Sequence, residues 1–251
     1  MLLYCLFAII IFIIINQLYF RENFNKVTNI NDIKIYFINL DLNKDRLLYI
    51  KKQSKNLKLV RFSAINGKFV NEKKLIKDKI LVKNHKLLKG QLGCALSHYF
   101  LLKKLYKSSN KISIILEDDI IIPNNFKYRL NNILNNLPNK WDIIWLGGCN
   151  IKGKLINNMY IKPTTFKGTY NLCMHAYLVN NKSIPKILKY LIPIYRPIDS
   201  QLRVSFNKLN IYYVYPNLIF QNKNLISVRR KLDNLKQSKY WKNNHYKVTI
   251  I

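Results

Sequence analysis

Short β-branched and aromatic runs alternate with helix-patterned segments along the first two thirds of the chain, and no other feature restricts the fold as much. "IKIYFINL" (33–40), "LVRFS" (59–63), "ISIILE" (112–117), "WDIIWLGG" (141–148), "CMHAYLVN" (173–180) and "NIYYVYP" (210–216) each have the length and composition of a buried strand. Between them, "NKDRLLYIKKQ" (43–53), "NNFKYRLNNILNNL" (124–137), "SIPKILKYL" (183–191) and "RPIDSQLRVSF" (196–206) have helical character. From Gly90 onward, Leu92, Ala95, Leu96, Tyr99, Leu102 and Tyr106 recur at three- and four-residue spacing, which is one face of a long amphipathic helix. This order predicts an α/β domain with a mostly parallel, Rossmann-like sheet flanked by helices. The Gly147–Gly148 pair is expected to break the fourth strand, and 210–216 is expected to be the last. In open sheets of this kind ligands bind beyond the carboxyl ends of the strands.

Of the 251 residues, 49% are hydrophobic, which supports a real core and excludes a wholly disordered chain. Lys and Arg number 43 against 12 Asp and Glu, a net charge of +31 that would suit a polyanion. The lysines are scattered through every segment, however, amid the Asn and Ile that an AT-rich genome produces. No specific nucleic-acid partner is therefore expected, although the field would help to hold a phosphorylated substrate. Cys5, Cys94, Cys149 and Cys173 have neither zinc-ligand nor C-x-x-C spacing. They indicate no disulfide framework and leave room for one bridge.

The first 20 residues are almost continuously apolar and long enough for a single N-terminal transmembrane helix, with a cleaved signal peptide as the competing reading. The expected organisation is an anchor at 1–20, a polar stem at 21–33, one domain at 34–228 and a basic tail at 229–251. The expected location is a membrane, with orientation open. Asn181-Lys182-Ser183 is a glycosylation sequon that would matter only on the luminal side.

Glu117, Asp118 and Asp119 form an unbroken acidic block between two apolar runs. Side chains alternate across a strand and diverge at its end, so three consecutive acids cannot all face one way. Burying three charges without partners is costly. A strand terminus resolves the conflict, with some oxygens meeting a divalent cation and others meeting backbone or basic groups. Oxygen ligands suit Mn²⁺ or Mg²⁺, whose shell substrate phosphates often complete. An ion-paired structural turn is the equal alternative on chemistry alone.

The blocks "IYFINLDLNKDR", "VRFSAINGK", "GQLGCALSHYFLLKKL", "ISIILEDDI" and "WDIIWLGG" occur in the order seen in glycosyltransferase family 25. "HAYLVNN", "PIDSQL" and "VYPNLIFQNKNLIS" also fit. The resemblance covers about residues 34–228. It implies a GT-A-like nucleotide-sugar-binding domain and an inverting, metal-dependent transfer of a hexose, galactose or glucose, from a UDP-sugar donor. The acceptor that the resemblance implies is a hydroxyl on a glycan or protein. Glu117-Asp118-Asp119 then stands as the D-x-D-like element. Asp119 and Asp118 are assigned to Mn²⁺ (or Mg²⁺), with Asp118 also near the nucleotide and Glu117 contacting metal, ribose or backbone.

The same resemblance places Asn39 and Asp41 where a nucleoside would lie. Arg46 would pair with a phosphate or with Asp41, against the alternative of a surface helix arginine. Asn66 and Gly67 form a turn that lets backbone approach ligand, or simply a turn. Gly90 and Gly93 open the long helix, whose start favours an anion. Ser97 and His98 follow one turn on, with His98 reaching the sugar-phosphate or serving as a packed residue. Asp199 is the first choice of base for the acceptor hydroxyl, with a helix cap as its alternative role. His175 is a second candidate base or metal ligand. Asp142 is assigned a structural role, and Gln221 and Ser227 a contact with acceptor or nucleotide. A catalytically inactive binding module of the same fold and a basic nucleic-acid-binding protein are the rival classes.

Overall fold

Strands β1 (Lys34–Asn39), β2 (Leu59–Ser63) and β3 (Ile112–Glu117) form a parallel trio with β1 at its centre. The computed structural model that shows this describes residues 10–12, 30, 33–164, 170–222, 224–225 and 246–251. β5 (Ile143–Cys149), β6 (Ile151–Ile156), β7 (Tyr160–Pro163), β8 (Leu172–Asn180), β9 (Ile211–Val214) and β11 (Val248–Ile250) complete a nine-stranded sheet. Its order is β11-β6-β7-β9-β5-β8-β3-β1-β2. A separate two-stranded ribbon joins β4 (Ile120–Ile121) to β10 (Phe220–Gln221).

Seven of the nine strands run the same way, as expected of a mostly parallel sheet, and two reversed strands make it mixed. β8 runs antiparallel between β3 and β5, and β7 runs antiparallel between β6 and β9. A buried strand such as "LCMHAYLVN" is apolar on both faces, so its composition carries no sign of direction. The glycine pair does not end β5. That strand runs through Gly147 and Gly148 to Cys149, with irregular register against β8. Nor is 210–216 the last strand, because Val248–Ile250 of the basic tail pairs with β6.

Period-two alternation sorts the sheet side chains into two cores. Tyr36, Ile38, Ile115, Ile143, Trp145, Tyr177 and Val179 face one side, and Ile35, Phe37, Ile114, Leu116, Ile144, Leu146 and Leu178 the other. The first core is closed by α3 (Lys89–Tyr106), α5 (Ile184–Leu191) and α6 (Ile198–Arg203). The second is closed by α1 (Lys44–Gln53) and α4 (Phe126–Asn135), with Ile30 and Ile33 from the expected stem packed against it. Helix α2 (Glu72–Lys77) has no buried residue. Each fully buried Leu or Ile in these layers contributes about 1.5–3 kcal/mol. The expected membrane span falls outside the described residues except for Ile10–Phe12, which are helical. Among the described residues no helix is long and apolar enough to cross a membrane.

Cys149 and Cys173 form a disulfide across the ends of β5 and β8. Because β8 is reversed, its first residues lie at the same edge of the sheet as the carboxyl ends of β3 and β5.

Candidate functional site

The strand alternation that builds the two cores also parts the acidic block. Glu117 has the parity of Ile115 and turns toward α3, while Asp118 and Asp119 form the turn between β3 and β4. Each acid therefore meets different partners.

Asp118 is buried and satisfied by protein. Its Oδ2 accepts from Asn39 Nδ2 at 2.7 Å, and its Oδ1 pairs with Arg46 Nη1 at 2.7 Å. Arg46 Nη1 also lies 3.2 Å from Asp119 Oδ2. Arg46 is thus neither a surface residue nor a partner of Asp41, because α1 packs its first turn over the ends of β1 and β3. Asp41 is held by Arg61, at 2.6 Å, and by the Ser63 hydroxyl, at 2.8 Å. Those two hydrogen bonds, Ser63 first, hold its carboxyl below the usual range. Arg61 also donates through Nε to Asn39 Oδ1 at 3.0 Å. Sequence reasoning missed Arg61, which pairs in register with Phe37 on β1 and reaches from there to the strand end.

Asp119 is compensated less well. Among the described residues its carboxylate meets Arg46 at 3.2 Å and Gln221 Nε2 at 3.5 Å. Burial, then the charges of Glu117 and Asp118, push it up to about 7 against the pull of Arg46 and Gln221. Its carbonyl accepts from Asn222 N–H, and Gln53 bonds both Ile120 O and Ile122 N at 2.9 Å, so the turn is tied from both sides. Gln221 was placed near ligand from sequence and does sit here. Ser227 lies outside the described residues.

Glu117 faces α3. Its Oε1 lies 3.4 Å from His98 Nε2 and 3.9 Å from Cys94 Sγ. Burial raises its pKa, but the His98 hydrogen bond and nearby positive charge outweigh that and hold it below its ordinary value. His98 is buried and its Nδ1 lies 3.0 Å from Tyr177 Oη. Neither Tyr177 nor Cys94 was singled out, although the four-residue spacing of Cys94 and His98 on one helix was visible.

The residues expected to line a nucleotide through a glycine turn also pack against one another. Ser97 Oγ accepts from Ile65 N–H at 2.8 Å and donates to Gly93 O at 2.7 Å. A Cβ on Gly67 would lie 1.8 Å from Lys89 O, and one on Gly93 2.5 Å from Ile65 O. The loop after β2 therefore rests directly on the start of α3, at the place where an anion had been expected. The Asn66 side chain caps its own turn by accepting from Lys68 N–H.

Asp199 is not the helix cap, a position Pro197 takes. Its carboxylate accepts from Cys173 N–H at 3.0 Å and Ser200 N–H at 2.7 Å. Cys173 has a φ of 68°, a left-handed conformation that the disulfide and this hydrogen bond hold in place. Asp199 thus stands at the edge of the sheet that holds the carboxyl ends of β3 and β5, and among the described residues no hydrogen bond or ion pair joins it to the acidic block. His175 is fully buried and points Nε2 at Ile219 O, 3.2 Å away. Burial holds its pKa down. His175 clusters with Cys149 and Cys173, but their sulfurs are committed to the disulfide. Asp142 is structural, bound to Lys186 at 2.8 Å and Asn210 N–H at 2.7 Å. The sequon fails on geometry: Asn181 is 6% exposed and its amide donates to Leu105 O and Ser108 Oγ.

Residues 32–202, from before β1 into α6, match the family described as Glycosyltransferase family 25 (LPS biosynthesis protein). The chain belongs to glycosyltransferase family 25. It is 26% identical over 211 residues to a glycosyltransferase 25 family member of Aedes aegypti, covering 77% of this chain and 34% of the relative. It is 28% identical over 200 residues to procollagen galactosyltransferase 2 of Homo sapiens, covering 70% and 30%. A Mus musculus relative, 27% identical over 129 residues and covering 49% and 22%, is named inactive glycosyltransferase 25 family member 3. The chain spans about a third or less of the length of these curated relatives. Among solved structures it is similar to a glycosyltransferase involved in the glycosylation of the major capsid of PBCV-1. That likeness has 8% identity, covers 80% of this chain and 97% of the other, and has a TM-score of 0.44.

Proposed function

We propose that the chain is a GT-A-like hexosyltransferase, moving galactose or glucose from a UDP-sugar to a hydroxyl on a glycan or protein with inversion at the sugar carbon. The observation that carries this reading is Asp119. It is a carboxylate with a 14% exposed side chain in the turn that follows β3, held by two long contacts among the described residues. An oxygen donor with so little compensation fits a hard divalent cation better than it fits another ion pair. Asp118, whose two oxygens are already taken, fits the task of holding Arg46 beside Asp119.

Mn²⁺ or Mg²⁺ bound by Asp119 would neutralise charge on the nucleotide diphosphate as the glycosidic bond breaks. Arg46 would add a fixed positive charge to the same phosphates. Asn39, Asp41 and Arg61, at the ends of β1 and β2, would receive the nucleoside. Asp199, on the same edge of the sheet, would take the acceptor proton, with its carboxylate oriented by Cys173 N–H. The name of the procollagen relative supports a hydroxyl on a protein as the acceptor class. We further propose that residues 1–20 anchor the chain in a membrane. The Cys149–Cys173 bridge favours an oxidising compartment for the domain.

The test is release of nucleotide from a panel of sugar nucleotides, with Mn²⁺ and with chelator, beside Asp119→Ala. Metal-dependent release from one donor, lost in the variant, supports the reading and names the sugar. Absence of release and of metal-linked nucleotide binding, from folded protein, would move the assignment to a binding module without turnover.

A further inference from the structure

On the α3 side of the acidic block, three donors of different chemistry meet. Cys94 and His98 are four residues apart on α3 and so lie one above the other on the same face. Strand parity sends Glu117 to that face from the end of β3. The Cys94 sulfur, a His98 ring nitrogen and a Glu117 oxygen all lie within 4.8 Å of one another. Two of the three edges are 3.4 Å for Nε2 to Oε1 and 3.9 Å for Sγ to Oε1. A tetrahedral zinc ion with ordinary bond lengths needs edges of roughly 3.3 Å between nitrogen and oxygen and roughly 3.5 Å between sulfur and oxygen. The first edge already has that length and the second is a few tenths of an ångström longer, and three donors leave the fourth position of the ion to water.

Two further observations point the same way. His98 holds Tyr177 Oη with its other nitrogen at 3.0 Å, the outer contact that fixes the ring of a metal-binding histidine. Cys94 and Glu117 are half-buried while His98 is buried, so the sulfur and the carboxylate remain accessible to an entering ion. The donors are one sulfur, one nitrogen and one oxygen, which selects Zn²⁺ over the Mn²⁺ or Mg²⁺ that suit Asp119.

We propose that Cys94, His98 and Glu117 form a zinc site that fastens α3 to the end of β3 and fixes the first acid of the block. The site stands independently of the glycosyltransferase reading, since it needs only the fold.

The experiment is titration of the full chain, stripped with chelator and kept free of reductant, with Co²⁺ as a spectroscopic stand-in for zinc. The expected result is saturation at one ion per chain, with intensified visible bands and a sulfur-to-cobalt charge-transfer band. Zn²⁺ should displace that ion, and Mn²⁺ or Mg²⁺ at equal concentration should not. Cys94→Ala removes a half-buried side chain and should fold. It should lose the charge-transfer band and weaken binding by at least ~10-fold. Asp119→Asn should keep the band even if nucleotide release is lost, which separates this site from the donor site. No charge-transfer band from wild-type protein with a titratable Cys94 thiol, or an unchanged band in Cys94→Ala, would overturn the proposal.

Discussion

Arg46 Nη1 lies 2.7 Å from Oδ1 of Asp118, and the two side chains are only 10% and 8% exposed. A buried pair of this kind is costly to break because the surviving charge has nowhere to go. Arg46→Ala strands Asp118 and, at 3.2 Å, Asp119. It should lower the unfolding free energy by about 3 kcal/mol, measured by urea denaturation. Adding Asp118→Asn to that variant should recover part of the loss, because the stranded charge goes with it. A strictly additive pair would mean that the contact carries no coupling.

The pH dependence of stability follows from Asp119. Burial first, then the Glu117 and Asp118 charges, raise its pKa to about 7 in the fold, against 3.8 in the unfolded chain. Between those values the unfolded chain has released a proton that the folded chain keeps. Stability therefore falls as pH rises from about 4 to 7 and is level above. Asp119→Asn removes that slope. It should leave stability little changed near pH 4 and raise it at pH 8 by on the order of a few kcal/mol, even as nucleotide release is lost. Urea midpoints at both pH values check this, and a variant less stable than wild type at pH 8 would refute it.

The legible part of this site was the part written within single segments. "ISIILEDD" announces a strand ending in carboxylates, and its parity already requires that neighbouring acids diverge. Their separate destinations depend on which strands become neighbours. Arg46 reaches Asp118 because β1 and β3 are adjacent and parallel, and no periodicity within residues 43–53 contains that fact. The same limit explains the reversed β8. The β6–β7 hairpin is different, because a signal was present: Asn157 and Asn158 both take positive φ in the turn, and an Asn pair between short runs is a hairpin cue. Lys152, Lys154 and Lys162 interrupt those runs, which therefore lack the continuous apolar pattern of the buried strands. Gly67 and Gly93 were visible as special positions, but what approaches them turned out to be this chain's own backbone.

Reduction should loosen the edge of the sheet where β5 ends and β8 begins. The Cys149–Cys173 bridge closes a sequence separation of 24, and a crosslink of that span restricts the unfolded chain by about 3 kcal/mol. The Cys149→Ser/Cys173→Ser double variant should show a urea midpoint lowered to match, and added reductant should lower the wild-type midpoint but not that of the variant. Asp199, which holds the Cys173 N–H, should lose orientation with the bridge. A larger fall in turnover than in donor affinity is therefore expected. Equal urea midpoints with and without the bridge would contradict this account.

The Gly67–Gly93 contact separates a packing role from a ligand role at the start of α3. A methyl group on Gly93 would sit 2.5 Å from Ile65 O and 2.7 Å from Gly67 N, and both are backbone atoms that cannot rotate away. Gly93→Ala must therefore push the loop after β2 off α3, breaking the Ser97 hydroxyl's link to Ile65 N–H. The expected loss is about 2–4 kcal/mol, in the range of overpacking plus a buried polar group left unpaired. Ser97→Ala at the same seam removes the hydroxyl's two hydrogen bonds, to Ile65 N–H and Gly93 O, without a clash, and should cost less, about 1–2 kcal/mol. Urea denaturation ranks the two. If both variants kept wild-type stability while nucleotide affinity fell, the glycine turn would be a ligand surface after all, and the packing account would fail.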